Sequence, residues 1–215
     1  MNTSEKFVIT VSRELGSGGH TIARKLAERL GVRFCDKELI QELSRRFNLT
    51  PQSIERLKSE KKNWLSDFIQ RIAPAPSPAG FIGSDSVYGK EFNPTITTDE
   101  IFAAEKEILR AMAEEGSCVI AGRSGFFVLK DHPNKVDVFI TAPHQYRIER
   151  TMRRQNLTEE QAEEVLVKVD KARENYIQRF AGVSRYDARN YNITLNVGGM
   201  TEDQAVDVIL SYLRQ

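Results

Sequence analysis

The sequence predicts an α/β fold: a parallel sheet covered by helices on both faces, built as a single domain of 215 residues. Three observations carry this expectation. Short apolar, β-branched runs alternate with amphipathic helical stretches along the whole chain. The first run, Phe7-Val8-Ile9-Thr10-Val11-Ser12, passes through a glycine-rich turn directly into a helix. Two later runs, Cys118-Val119-Ile120-Ala121 and Val136-Asp137-Val138-Phe139-Ile140, read as strands buried on both faces.

Each element follows in order. The turn Gly16-Ser17-Gly18-Gly19-His20-Thr21 leads into a helix that starts near Gly19 and carries an amphipathic stretch from Ile22 to Leu30. A short strand, Val32-Arg33-Phe34-Cys35, precedes a helix from about Lys37 to Phe47. Thr50-Pro51 has the chemistry of a helix start, an N-cap hydroxyl and a first-turn proline, for a helix to about Ile72. Residues 73–96 hold Pro74, Pro76, Pro78, Gly80, Gly83, Gly89 and Pro94, a loop or flap by composition. Thr97 with Glu100 forms a capping box for a helix reaching Glu115. Thr158 with Gln161 does the same for a long helix to about Phe180, and Thr201 with Gln204 for the last one. Ile193-Thr194-Leu195-Asn196-Val197 is the final strand. A sheet of this kind binds its ligand at the C-terminal ends of the strands.

Composition narrows the class. Charged residues make up 28% and hydrophobic residues 40%, with a formal net charge of +1, so neither nucleic acid nor an acidic membrane surface is the expected partner. No apolar run has the length of a membrane span. Met1-Asn2-Thr3-Ser4-Glu5-Lys6 has no signal-peptide pattern, and a soluble cytoplasmic protein is the expectation. Cys35 and Cys118 sit in apolar segments and read as reduced core residues.

The turn nearly spells a phosphate-binding loop. Aligned on Thr21, the second glycine of the Walker A pattern is Gly19, but the lysine position holds His20 and the first glycine position Glu14. Gly16, Gly18 and Gly19 still allow successive N–H groups to face one concavity, and the helix start adds its dipole. Thr21 stands where a hydroxyl reaches a Mg²⁺ ion on the β- and γ-phosphates. An imidazole only partly replaces the fixed charge of lysine. The bland alternative is a glycine-rich strand-to-helix turn that binds nothing.

Four further clusters fall at the expected binding edge. Arg123, within Gly122-Arg123-Ser124-Gly125, directly follows a buried strand, and Asp36 follows another. Arg147, Arg150 and Arg154 share a helical face at i, i+3 and i+7. Asp170 and Arg173 are three apart on the long helix, with Tyr176 and Arg179 nearby. Guanidinium forks suit phosphate oxygens. The alternatives are a solvated helix face for the stripe and a surface ion pair for Asp170 and Arg173.

These residues together resemble a known family. Ser12-Arg13-Glu14-Leu15-Gly16-Ser17-Gly18-Gly19 is similar to the S-R-E-x-G-S-G-G opening of the cytidylate kinase-like family. Cys35-Asp36-Lys37-Glu38-Leu39-Ile40 resembles its D-K-E-L-I segment. Asp170-Lys171-Ala172-Arg173 with Tyr176 resembles its D-x-x-R-x-x-Y helix, and Tyr191 to Asn196 its terminal strand.

The resemblance implies a P-loop NTPase fold: a core, a monophosphate-binding insert at about 48–97 and a helical lid at about 150–190. It implies transfer of the γ-phosphoryl of ATP, with Mg²⁺, to CMP or dCMP. The implied ATP and phosphate contacts are Arg13, Gly16, Ser17, Gly18, Gly19, His20, Thr21 and Arg147, with Thr21 on the metal. Acceptor contacts are Asp36, Arg123 and Ser124, where Ser124 replaces the aspartate of the family's G-R-D motif. Arg123, Arg150, Asp170 and Arg173 are the catalytic candidates. Leu166 stands where the family has an arginine, and with His20 this removes two cations. The reading adopted is a kinase acting on a small phosphate-bearing acceptor, as a monomer or homodimer. The alternative is a catalytically weak nucleotide-binding module with a regulatory or partner-binding role.

Overall fold

The computed structural model describes residues 1–51, 53–54 and 96–214. Five strands, β1 (Val8–Arg13), β2 (Arg33–Cys35), β3 (Cys118–Ala121), β4 (Lys135–Thr141) and β5 (Ile193–Asn196), form one sheet in the order β2-β3-β1-β4-β5. Every neighbouring pair is parallel. Parallel neighbours need crossovers, and helices supply them: α1 (Gly19–Leu30), α2 (Lys37–Phe47), α3 (Thr98–Glu115), the short α4 (Gly125–Val128), α5 (His144–Gln155), α6 (Glu159–Ala181) and α7 (Glu202–Leu213). The helix expected from Pro51 to Ile72 and the flap at 73–96 lie almost wholly outside the described residues.

Strand alternation builds two cores. On one face Ile9, Val11, Val119, Ala121, Val138 and Ile140 pack against Ile22 and Leu26 of α1 and Val206 and Ile209 of α7. On the other, Val8, Cys118 and Ile120 meet Leu39 and Leu43 of α2 and Ile101 and Leu109 of α3. Both cysteines are buried thiols. Among the described residues no helix is long and apolar enough to cross a membrane.

The three capping boxes form as their spacing predicts. Thr97, Thr158 and Thr201 each accept from the backbone of the residue three on, whose side chain returns the bond. The central strand β1 ends at Arg13 between β3 and β4, so the β1–α1 turn emerges at the C-terminal edge of the sheet. The α5–α6 hairpin stands over that edge, held by a small core of Ile148, Ala162 and Leu166 with Leu15 beneath it.

Candidate active site

The glycine-rich turn is held from several directions. Gly18 is the N-cap of α1 at φ 83°, with no side-chain cap, so the first-turn N–H groups beyond Gly19 are left open to a ligand. Ser17 turns inward, donating from Oγ to the carbonyl of Glu14 at 2.9 Å and accepting from the N–H of Gly19 at 3.3 Å. Gly16 (φ 79°) lies so near α5 that a β-carbon there would be 2.5 Å from the carbonyl oxygen of Arg147. Glu14, in the first Walker glycine position, accepts from Nη1 of Arg147 at 2.9 Å and from the hydroxyl of Thr141. It anchors the turn to α5 and β4.

An ionic knot underlies the same turn. Arg147 and Asp170 are both buried and paired with each other. Arg147 Nε donates to the carbonyl of Leu15 at 2.8 Å, and the N–H of Leu15 donates to Asp170 at 3.0 Å. Arg173 donates from Nη1 to Asp170 and to the carbonyl of Arg13, each at 3.3 Å. Arg185, buried, donates to the Arg13 carbonyl at 2.5 Å and lies 3.5 Å from Asp170. A buried carboxylate with three guanidiniums is sensitive to the loss of any one member, because the others are left uncompensated. Here the knot fixes both ends of the Arg13–Leu15 backbone.

A second group gathers beside α1. His20 Nε2 donates to Oδ2 of Asp36 at 2.8 Å, and its ring meets Phe34 edge-on at 5.4 Å. Asp36 is the N-cap of α2 but makes no capping bond; its other oxygen lies 3.7 Å from Nη2 of Arg123. Burial raises the Asp36 carboxyl, while the bond from His20 and the charge of Arg123 outweigh it and hold it below its ordinary value.

Three successive residues of the β3–α4 turn are left-handed: Gly122 at φ 73°, Arg123 at 57° and Ser124 at 57°. Two non-glycine residues held there cost roughly 1–2 kcal/mol each, strain stored beside the site. A β-carbon at Gly122 would sit 1.8 Å from Nη1 of Arg13, so only glycine admits that guanidinium. Burial, with Arg173 and Arg123 close by, pushes Arg13 down to about 9, well below the ordinary guanidinium value. An anion at this point would relieve the crowding of like charge.

Cations also reach the turn from α5. A β-carbon on Gly18 would lie 3.3 Å from Cζ of Arg150, whose Nη2 is paired at 2.8 Å with Glu202 on the first turn of α7. Arg154 Nη2 is 3.4 Å from the hydroxyl of Thr21. Mg²⁺ takes oxygen ligands and keeps several waters. The Thr21 hydroxyl beside open helix-start N–H groups suits an ion that arrives on phosphates. Among the described residues no cluster of three or more His, Cys, Asp or Glu could hold a metal by itself.

The candidate residues therefore divide into three groups. Arg13, His20, Asp36, Arg123 and Ser124 lie on the β1–β3 side. Glu14, Arg147, Asp170 and Arg173 are knotted beneath the turn, with Arg147 and Asp170 engaged by backbone and by each other. Arg150 lies across Gly18 and Thr21 faces Arg154. Sequence reasoning missed Arg185, which has no periodic signal, and Glu202, whose helix-start position reads as ordinary capping chemistry. Leu166 is fully buried between α5 and α6, filling a core position rather than leaving a cation's place open.

Comparison with known proteins follows the same lines. The model of the cytidylate kinase-like family matches residues 8–198. The chain is 24% identical over 210 residues to a cytidylate kinase of Methanopyrus kandleri, covering 94% of this chain and 90% of that one. It is 31% identical over 111 residues to a uronate isomerase of Corynebacterium glutamicum, across 51% of this chain but only 21% of that protein's length. An uncharacterized protein from Eubacterium ventriosum superposes with a TM-score of 0.70 at 24% identity, covering 98% and 99% of the two chains. A shikimate kinase of Acinetobacter baumannii, solved with shikimate, superposes at 0.50 with 16% identity over 98% and 94%. The parallel five-stranded sheet and the shikimate kinase neighbour are those of a P-loop NTPase α/β fold.

Proposed function

The chain belongs to the cytidylate kinase-like family, and from that premise we propose that it transfers the γ-phosphoryl group of ATP to a small phosphate-bearing acceptor, CMP or dCMP first among candidates. The observation that carries this reading is electrostatic. Arg13, Arg123 and Arg173 converge at the sheet edge, between the glycine-rich turn and Asp36. The Arg13 guanidinium packs against Gly122, Arg123 lies 3.7 Å from Asp36 and Arg173 reaches the Arg13 carbonyl at 3.3 Å, and burial together with these like charges depresses Arg13.

The turn and the start of α1 would cradle the donor phosphates through N–H groups, with Arg150 alongside. Mg²⁺, when bound, would sit on the Thr21 hydroxyl and the phosphate oxygens and neutralise charge there. Arg123 and Arg13 would hold the acceptor's phosphate, and Arg173 would bridge the two sides. Positioning and charge carry this chemistry, so no strong base is required. Asp36 and Ser124 would contact the rest of the acceptor. Ser124, buried in its left-handed turn, has one hydroxyl where the family places a carboxylate, which leaves room for acceptors other than cytosine nucleotides.

A second reading, a nucleotide-binding module of low turnover, is favoured by one observation. His20, in the lysine position, is engaged by Asp36.

A coupled ADP-release assay with ATP and Mg²⁺ separates them, run against CMP, dCMP, UMP, AMP, GMP and phosphorylated metabolites. CMP- or dCMP-dependent release supports the kinase reading, and Arg123→Ala should then cost a hundredfold or more, on the order expected for losing a charge-stabilising donor. Release with another acceptor replaces the substrate. Silence across the panel with ATP bound favours the second reading.

A further inference from the structure

The turn lacks the lysine of a Walker A loop, and His20, in its place, is turned to Asp36 at 2.8 Å. A triphosphate held by backbone N–H groups alone lacks a mobile point charge at its β- and γ-oxygens. The missing charge has a source in α5. Arg154 is exposed, and its Nη2 lies 3.4 Å from the hydroxyl of Thr21, the residue next to His20. Among the described residues Arg154 has no carboxylate partner. Its neighbours on the same helical face differ in this: Arg147 pairs with Glu14 and Asp170, and Arg150 with Glu202. Within the stripe, Arg147 holds the turn from beneath, Arg150 is clamped across Gly18, and Arg154 remains available to a ligand.

We propose that Arg154 supplies, from α5, the phosphate-binding cation that the loop lysine supplies in a Walker A turn, leaving His20 to the Asp36 side. The inference rests on the nucleotide-binding reading above. It adds that the donor's β- and γ-oxygens are bound by a guanidinium crossing from another element. An arginine can do this where the histidine at position 20 cannot, because its planar fork presents several donors in the geometry of phosphate oxygens and reaches across the turn, while the imidazole is engaged by Asp36.

The test is a charge-transplant cycle read by calorimetric titration of MgATP into the full chain, so that binding is measured without turnover. Arg154→Ala should weaken MgATP at least about tenfold, the scale of one charge-assisted bond. His20→Lys should restore most of that loss in the Arg154→Ala background and add little to the parent protein. Arg153→Ala, an exposed neighbour on the same turn, should bind as the parent does. Melting curves for each variant confirm folding.

Unchanged binding in Arg154→Ala overturns the proposal, as does an equal gain from His20→Lys in both backgrounds. Failure of the parent chain to bind MgATP at all overturns the nucleotide-binding reading itself, which is a different result.

Discussion

Asp36 stands where an aspartate ordinarily caps a helix, yet its carboxylate faces His20 and Arg123 instead. Local propensity and site chemistry compete for one side chain, and the site prevails because the bonds there are charge-assisted. Its pH behaviour follows with a definite sign. The folded carboxyl lies below its ordinary value, so Asp36 contributes stability above about pH 4 and loses it as pH falls further. Asp36→Asn should cost about 1–2 kcal/mol at pH 7, and the gap from the parent should narrow progressively as pH falls below about 4. Urea unfolding at pH 7 and pH 3.5 measures both, and a gap of equal size at the two values would sink the assignment. The same scale exposes the limits of motif matching. Glu14 breaks the Walker A pattern as a letter, while in space it is one of the anchors that shape the turn.

Among the elements, the α5–α6 hairpin is where the sequence and the structure are most instructive to compare. Its helix start was legible, because a capping box is local and Thr158 with Gln161 forms one wherever a helix follows. The meaning of Leu166 was not legible. In line with the family's motif it looks like a lost arginine, but it is buried against Ile148 and Ala162 and closes the hairpin's small core. Leu166→Arg should therefore not restore a catalytic cation. It should destabilise the hairpin by roughly 3 kcal/mol or more, through a lost apolar contact and an unpaired buried charge. Hydrogen exchange across residues 144–181 reads this directly. An unloosened hairpin in Leu166→Arg, or a gain in turnover, would show that the position tolerates a cation after all. The far end of α6 is also tied down. Tyr176 donates to buried Glu105 at 2.6 Å, Arg179 pairs with Asp99, and Phe180 stacks on Phe102, all on α3. Any movement of α6 relative to the sheet must therefore carry α3 with it or break these contacts.

For the molecule as a whole, the crowding of guanidiniums at the sheet edge is a cost that a ligand can remove. Arg13 is held at about 9, well below the ordinary guanidinium value, so its burial penalises folding below pH 9, and that penalty fades as pH rises above 9. An anion bound between Arg13, Arg123 and Arg173 should stabilise the fold, by about 2.7 kcal/mol at a hundred times its dissociation constant. That corresponds to a rise in Tm of several degrees for a chain of this size. Inorganic phosphate and CMP, titrated in thermal melts at pH 7 and pH 10, should both act more strongly at the lower pH. No shift with either anion would mean that the arginines do not form a binding site. What the sequence by itself determined is everything carried by local signals. The alternating strands and helices, the capping boxes and the glycine-rich turn depend on neighbours within a few positions, where periodicity and backbone freedom act. Only the tertiary structure decided which cations are engaged and which are available. Arg147 and Arg173 are held by Asp170, Arg150 by Glu202 and His20 by Asp36, while Arg154 has no carboxylate partner among the described residues, and Arg185 joins the knot from a turn with no motif at all. Apart from Arg173–Asp170, three apart on one helix, those pairings join residues 15 to 52 positions apart, and charge pairing depends on distance in space, which no spacing along the chain encodes.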